Sequence, residues 1–295
     1  MKLPQTVKIV EVGPRDGFQS INKWIPTDLK IEIISGLISA NLNRLEVTSF
    51  VHPKAIPQMQ DAAEVVHRVI DGYKGMELIA LVPNYTGAKA AWEAGIKEVT
   101  YVISASEKHN IENVRRTKAE SFADLRNIKE LLPELTIKLD IATAFGCPFL
   151  GQVPVEQVLQ MMEDSLKLGI DEVCLCDTIG IANPLQTESL LVKVITGYPG
   201  AKLSLHFHDT RGMGLANTLV ALECGITTFE SAIGGLGGCP FAPGAAGNIA
   251  TEDMVNMLEQ MGIDTGIDLP VLLQTAKTVK AKIVQELSGH LVSMC

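Results

Sequence analysis

In the segment "LSLHFHDT" two histidines, His206 and His208, stand two residues apart within a strand-like run. Alternate residues of a strand face the same side, so the two imidazoles form a bidentate platform for a metal ion. Near the N-terminus, "VGPRDGFQ" sets Arg15 beside Asp16 in a turn tightly specified by Gly13, Pro14 and Gly17. From such a turn Asp16 would reach an ion, while the permanently charged, planar guanidinium of Arg15 would face an anionic oxygen. "LEVTSF" contributes Glu46, and the glycine-rich "GGLGGCPFAPGAAGN" carries one thiol, Cys239, and ends on Asn248. Two His, one Asp and an Asn amide oxygen make a set without thiolate, which suits Mg²⁺ or Mn²⁺ better than structural zinc. Blander alternatives stand beside each reading. The histidines would be hydrogen-bonded in a polar mouth, Arg15–Asp16 a loop ion pair, and Glu46 a strand-end acceptor. Cys174 and Cys176 in "CLCDTIG" have no second CxxC partner and read as barrel packing.

These residues must be brought together by regular elements, and the chain has a rhythm that does so. "AGIKEVTYV", "LGIDEVCLC" and "CGITTFESA" repeat one phrase, with a weaker copy in "ANLNRLEVTSF". Each follows a helix-like stretch, as where Val155, Val158, Leu159, Met162 and Leu166 share one face. The Gly or Asn then falls where a left-handed helix exit is wanted, and an apolar run follows. Strand-like runs lie near 7–12, 43–48, 76–82, 97–103, 136–142, 171–176, 202–207 and 227–231. Eight βα units predict a closed parallel (β/α)8 TIM barrel over about residues 7–265, with a helical segment from about 268 to 295, as one domain. An open doubly wound sheet is the alternative, but "VEVGPRDG" lacks its phosphate-binding glycine pattern. In a barrel the C-terminal strand ends carry the chemistry. Glu11, Arg15, Asp16, Glu46, Asp177, His206, His208, Asp209, Cys239 and Asn248 all fall at that rim.

With 295 residues, 46% hydrophobic, 20% charged and a net charge of −9, the composition is that of a globular protein. It argues against a nucleic-acid or acidic-membrane partner. No apolar run reaches the length of a membrane span, and the strand-like start leaves no room for a targeting peptide. Six cysteines without regular spacing fit a reducing, cytoplasmic setting.

The motifs "VGPRDGFQ", "EVTSFVHPK", "LHFHDT" and "GGLGGCPFAPGAAGNIATED" closely resemble those of the 3-hydroxy-3-methylglutaryl-CoA lyase family, and the likeness runs from about residue 7 to 265. The resemblance implies a metal-dependent TIM barrel acting on an acyl-CoA, in a homo-oligomer. It makes Asp16, His206, His208 and Asn248 ligands of a divalent cation and places Arg15 on the thioester oxygen. It sets Arg15, Asp16, Glu46, His206 and Cys239 in the catalytic rim, with Cys239 on a loop that closes over substrate. The implied reaction is retro-Claisen cleavage: His206 or Asp16 takes the proton of the tertiary alcohol, acetyl-CoA leaves as its enolate, and Cys239 protonates it. Ser20, Phe241 and Cys176 depart from the family pattern where Asn, Tyr and Gly are usual, which bears on the acyl group accepted. Rival readings are a lyase for another 3-hydroxyacyl-CoA, such as a citramalyl or isohexenylglutaryl thioester, a Claisen condensing enzyme, and a non-catalytic acyl-CoA-binding barrel. Cys295 near the chain end is a candidate for an intersubunit disulfide, on the family's example.

Overall fold

The computed structural model describes residues 3–238 and 247–294. Eight strands run β1 (Lys8–Glu11), β2 (Arg44–Ser49), β3 (Glu77–Leu81), β4 (Glu98–Ser104), β5 (Thr136–Ala142), β6 (Glu172–Asp177), β7 (Leu203–Phe207) and β8 (Thr228–Ser231). Each lies within a residue or two of its expected run. They pair in parallel in sequence order, and β8 returns to β1 through pairs such as Ile9 with Phe229, so the barrel is closed. The doubly wound alternative fails here, because an open sheet would leave two unpaired edges.

The helix exits explain the repeated phrase. Asn41, Gly95, Gly169 and Gly225 all adopt positive φ, at 65°, 103°, 69° and 92°. That conformation reverses the chain out of one helix and into the next strand, and Gly or Asn adopts it at little cost. Helix starts are capped by side chains as well. Thr117 and Glu120 form a reciprocal capping box, and Asn84, Ser106, Asn183 and Asp268 each accept a backbone N–H of the first turn. In the helix Val155–Lys167 the buried residues are Val158, Met161, Met162 and Ser165, whereas Leu166 is exposed. The apolar stripe is therefore rotated from the expected one, because the barrel contact follows the 158–162–165 row.

The barrel interior is not wholly apolar. Lys138 on β5 is fully buried, with Nζ 3.0 Å from Asp140 Oδ1 and in a short contact with Glu230 Oε1 on β8. Arg44, at the start of β2, plays a similar part, pairing with Glu98 and Glu172. Removing one member of a buried pair strands the other charge, which typically costs ~3–5 kcal/mol. Lys138→Met is accordingly expected to lower unfolding free energy by about that amount in a denaturant titration. A loss within error of zero would show that Asp140 and Glu230 do not need the ammonium.

After β8 the chain forms helices Thr251–Gln260, Leu269–Lys282 and His290–Ser293. The last connection braces the loop that follows β8: Gly289 N donates to Gly234 O, and Ser288 Oγ to Gly235 O.

Candidate active site

The turn Gly13–Gly17 begins as soon as β1 ends, with the N–H groups of Arg15 and Asp16 both donating to Val12 O. A Cβ on Gly13 would sit 2.5 Å from Glu11 Oε1, so only glycine lets the chain turn this tightly against that carboxylate. Arg15 is nearly buried. Its Nε donates to Glu46 Oε2 in a short contact, and its Nη1 to Asp16 Oδ1 at 2.5 Å. Asp16 Oδ1 also accepts from Gln19 Nε2 at 2.8 Å, and Oδ2 from Asn248 Nδ2 at 2.7 Å. Burial works to raise the Asp16 carboxyl, but Arg15, His206 and His208 outweigh it and hold the group below its ordinary range.

β7 delivers His206, and His208 follows one residue beyond its end, with ring centroids 5.1 Å apart. Ligand atoms of Asp16, His206 and His208 all lie within 4.8 Å of one another. His206 Nδ1 is 2.8 Å from Glu230 Oε2, which leaves Nε2 as the nitrogen the ring presents. Burial lowers the imidazole of His206, but the hydrogen bond and charge of Glu230 reverse this and raise it. Asn248 pairs across to His208 in a short bridge. Its amide nitrogen is used twice, by Asp16 and by Leu236 O at 2.8 Å. Its Oδ1, like His208 Nδ1, is buried without a hydrogen-bond partner among the described residues. Gly237, at φ 105°, comes so close that a Cβ there would lie 2.5 Å from Asn248 Nδ2.

A cleft of about 730 Å³ opens at this end of the barrel, with Arg15, Asp16, Asp140, Cys176, His206 and His208 among its lining residues. The structure thus brings together Arg15, Asp16, Glu46, His206, His208 and Asn248. The loop ion pair is also real: Arg15 does bind Asp16, and Glu46 is one of its acceptors. Three other rim acids are not presented to the cleft. Glu11 accepts from Gly13 N, Ile233 N and Thr251 Oγ1, Asp177 from Ile181 N and Ala182 N, and Asp209 from Gly214 N. Loops that leave a strand sharply have unpaired N–H groups, and these carboxylates satisfy them. Burial pushes Glu11 up to about 7 despite those bonds. Cys239 and Cys295 lie outside the described residues.

Lys138, Asp140 and Glu230 are the residues that sequence reasoning passed over. The signal was present. "KLD" has the same two-residue spacing as "HFH", and a lysine and an aspartate within an otherwise apolar barrel strand demand partners.

A family model described as HMGL-like matches residues 6–279. Over 292 residues the chain is 46% identical to the hydroxymethylglutaryl-CoA lyase YngG of Bacillus subtilis, covering 98% of this chain and 97% of that protein. It is 41% identical over 279 residues to the human mitochondrial hydroxymethylglutaryl-CoA lyase, covering 94% and 86% of the two. An HMG-CoA lyase from Acinetobacter baumannii, solved with coenzyme A and 3-methylmalate, superposes with a TM-score of 0.92 at 44% identity over 98% of this chain and 95% of that one. With the family match spanning most of its length and relatives this similar along it, the chain belongs to the HMGL-like family of carbon–carbon lyases.

Proposed function

We propose that this protein cleaves 3-hydroxy-3-methylglutaryl-CoA to acetyl-CoA and acetoacetate with the help of Mg²⁺ or Mn²⁺. The observation that carries the reading is the meeting of Arg15, Asp16, His206, His208 and Asn248 at one barrel mouth, in a chain so similar to lyases of that name. The residues fit a divalent ion. Two buried acceptor atoms, His208 Nδ1 and Asn248 Oδ1, have no hydrogen-bond partner among the described residues, and the set is all nitrogen and oxygen. Asp16, His206, His208 and Asn248 would hold it. A bound ion supplies acidification of the substrate alcohol and a template for the acyl group.

The chain's own residues do the rest. Glu230 fixes the His206 tautomer through Nδ1, so the ring offers a single nitrogen, Nε2, which serves as ligand. That leaves Asp16, with two oxygens, as the group that takes the alcohol proton. Arg15 is clamped by Glu46 and Asp16 through Nε and Nη1, which sets its guanidinium plane and reserves Nη2 for the thioester oxygen as negative charge moves there. Cys239 delivers the proton that quenches the enolate carbon. We assign residues 7–265 and the helices after them to one catalytic domain, working in the cytoplasm as a homo-oligomer. Among the described residues no helix is long and apolar enough to cross a membrane.

The test is direct. Purified protein with Mg²⁺ is given hydroxymethylglutaryl-CoA, citramalyl-CoA and isohexenylglutaryl-CoA separately, and acetyl-CoA and the keto acid partner are quantified. Acetoacetate from the first, at the highest kcat/KM of the three, is the expected result. Preferential cleavage of another thioester would move the substrate assignment, and no cleavage of any would end the lyase reading for this chain.

A further inference from the structure

The floor of the same cleft holds a second group of ligand-bearing side chains that the reaction does not use. Cys174 and Cys176 stand two apart on β6, so both thiols point to the same side of the strand, and their sulfurs are 3.9 Å apart. Asp140 of β5 pairs in register with Cys174. One ligand atom from each of the three lies within 4.8 Å of the others, and all three residues are buried. Cys176 and Asp140 also line the cleft, so a small ion entering from the mouth reaches them.

We propose that Asp140, Cys174 and Cys176 form a separate site for a thiophilic divalent ion of the Zn²⁺ or Cd²⁺ class, and that an ion held there inhibits the enzyme. Two thiolates and a carboxylate supply three positions of a tetrahedron, and water from the cleft fills the fourth. Sulfur ligands select against Mg²⁺ and Mn²⁺, whereas the Asp16, His206, His208 cluster has only nitrogen and oxygen donors. The two groups therefore sort metals by softness while lying next to each other: Cys176 pairs in register with His206.

Binding exchanges the ion for the two thiol protons and for any proton on the Asp140 carboxyl, which burial pushes up to about 7. Each S–H bond breaks, the protons pass to water, and the sulfur electron pairs become the metal bonds, with no change of oxidation state. Without metal the thiols stay protonated, because burial pushes Cys174 well above the ordinary thiol range. Two thiolates and the Asp140 carboxylate exceed the charge of a divalent ion by one, and the Lys138 ammonium 3.0 Å from Asp140 partly offsets this. Inhibition follows from position, since the ion and its water would occupy cleft volume beside the acyl group. None of this depends on which acyl-CoA is the substrate.

The experiment is a Cd²⁺ titration of the full-length protein in saturating Mg²⁺, following the ultraviolet thiolate-to-cadmium charge-transfer band and, in parallel, cleavage activity. The expected result is a band that saturates at one Cd²⁺ per chain, with loss of activity that further Mg²⁺ does not relieve. Cys174→Ala should retain activity in Mg²⁺, because its side chain does not line the cleft. It should lose Cd²⁺ affinity by more than the ~10–100-fold that removing an outer partner costs. Cys147→Ala and Cys239→Ser should leave the band unchanged. If Cys174→Ala does not fold, Asp140→Asn, which keeps its shape, must show the loss of affinity. Persistence of the band in both variants, its disappearance in Cys239→Ser, or its displacement by Mg²⁺ would each overturn the proposal.

Discussion

Arg15→Met is expected to lower turnover by ~10²–10³-fold, the usual consequence of removing one preorganised donor to a developing negative charge. It is also expected to destabilise the protein, because Arg15 is not a free arm over the cleft. Its Nε is bound to Glu46, which is wholly buried, and its Nη1 to Asp16. Taking the guanidinium away leaves the Glu46 carboxylate without its cation, at a typical cost of ~3–5 kcal/mol. Activity loss in the Met variant alone would therefore confound chemistry with stability. Arg15→Lys separates them. A lysine keeps a positive charge beside Glu46 and holds the fold near wild type, but an ammonium lacks the planar fork that serves Glu46, Asp16 and a substrate oxygen at once. Turnover at saturating substrate and the unfolding midpoint, measured together, give the answer. A Lys variant with wild-type midpoint and a kcat lowered by two orders of magnitude supports the role. Near-normal kcat in that variant would reduce Arg15 to a structural partner of Glu46.

What the sequence made legible was set by period and by chemical rarity. Period-3.6 stretches ending in Gly or Asn before β-branched runs marked β2, β4, β6 and β8, because a left-handed exit and a strand start are local facts. The "HFH" pair and the "GPRDG" turn were legible for the same reason: their geometry is settled within a few residues. What could not be read was pairing across strands. Asp140 meets Cys174 only through the β5–β6 register, Glu230 meets His206 through the β7–β8 register, and Glu230 meets Lys138 of β5 only across the closed barrel. Nor could the sequence separate acids that face the cleft from acids that hold loops. Glu11 and Asp16 sit five residues apart at the same rim. One is consumed by two backbone N–H groups and a threonine hydroxyl, while the other lines the opening. That division depends on where the loop after β8 folds back, which is a tertiary fact.

Removing divalent metal is expected to abolish acetyl-CoA release, and Mg²⁺ or Mn²⁺ to restore it. The reason lies in atoms with nothing else to do. His208 Nδ1 and Asn248 Oδ1 are buried without partners among the described residues, and an unsatisfied buried polar atom costs ~1–3 kcal/mol unless something fills the role. Loss of activity in a chelator has many causes, so binding must be read independently. An ion that binds only the folded chain raises stability by RT ln(1 + [L]/Kd), ~2.7 kcal/mol at a hundredfold excess over Kd. The wild-type thermal midpoint should accordingly climb with Mg²⁺ concentration. In His208→Ala the same titration should shift to higher Mg²⁺ or flatten, because one donor of a small set is gone. Lys138→Met, which leaves the nitrogen and oxygen donors in place, should start from a lower midpoint yet climb with Mg²⁺ over the same range. Full turnover in exhaustively stripped protein, or a His208→Ala midpoint that rises with Mg²⁺ as wild type does, would remove the ion from this mouth and return the two histidines to a hydrogen-bonded polar rim.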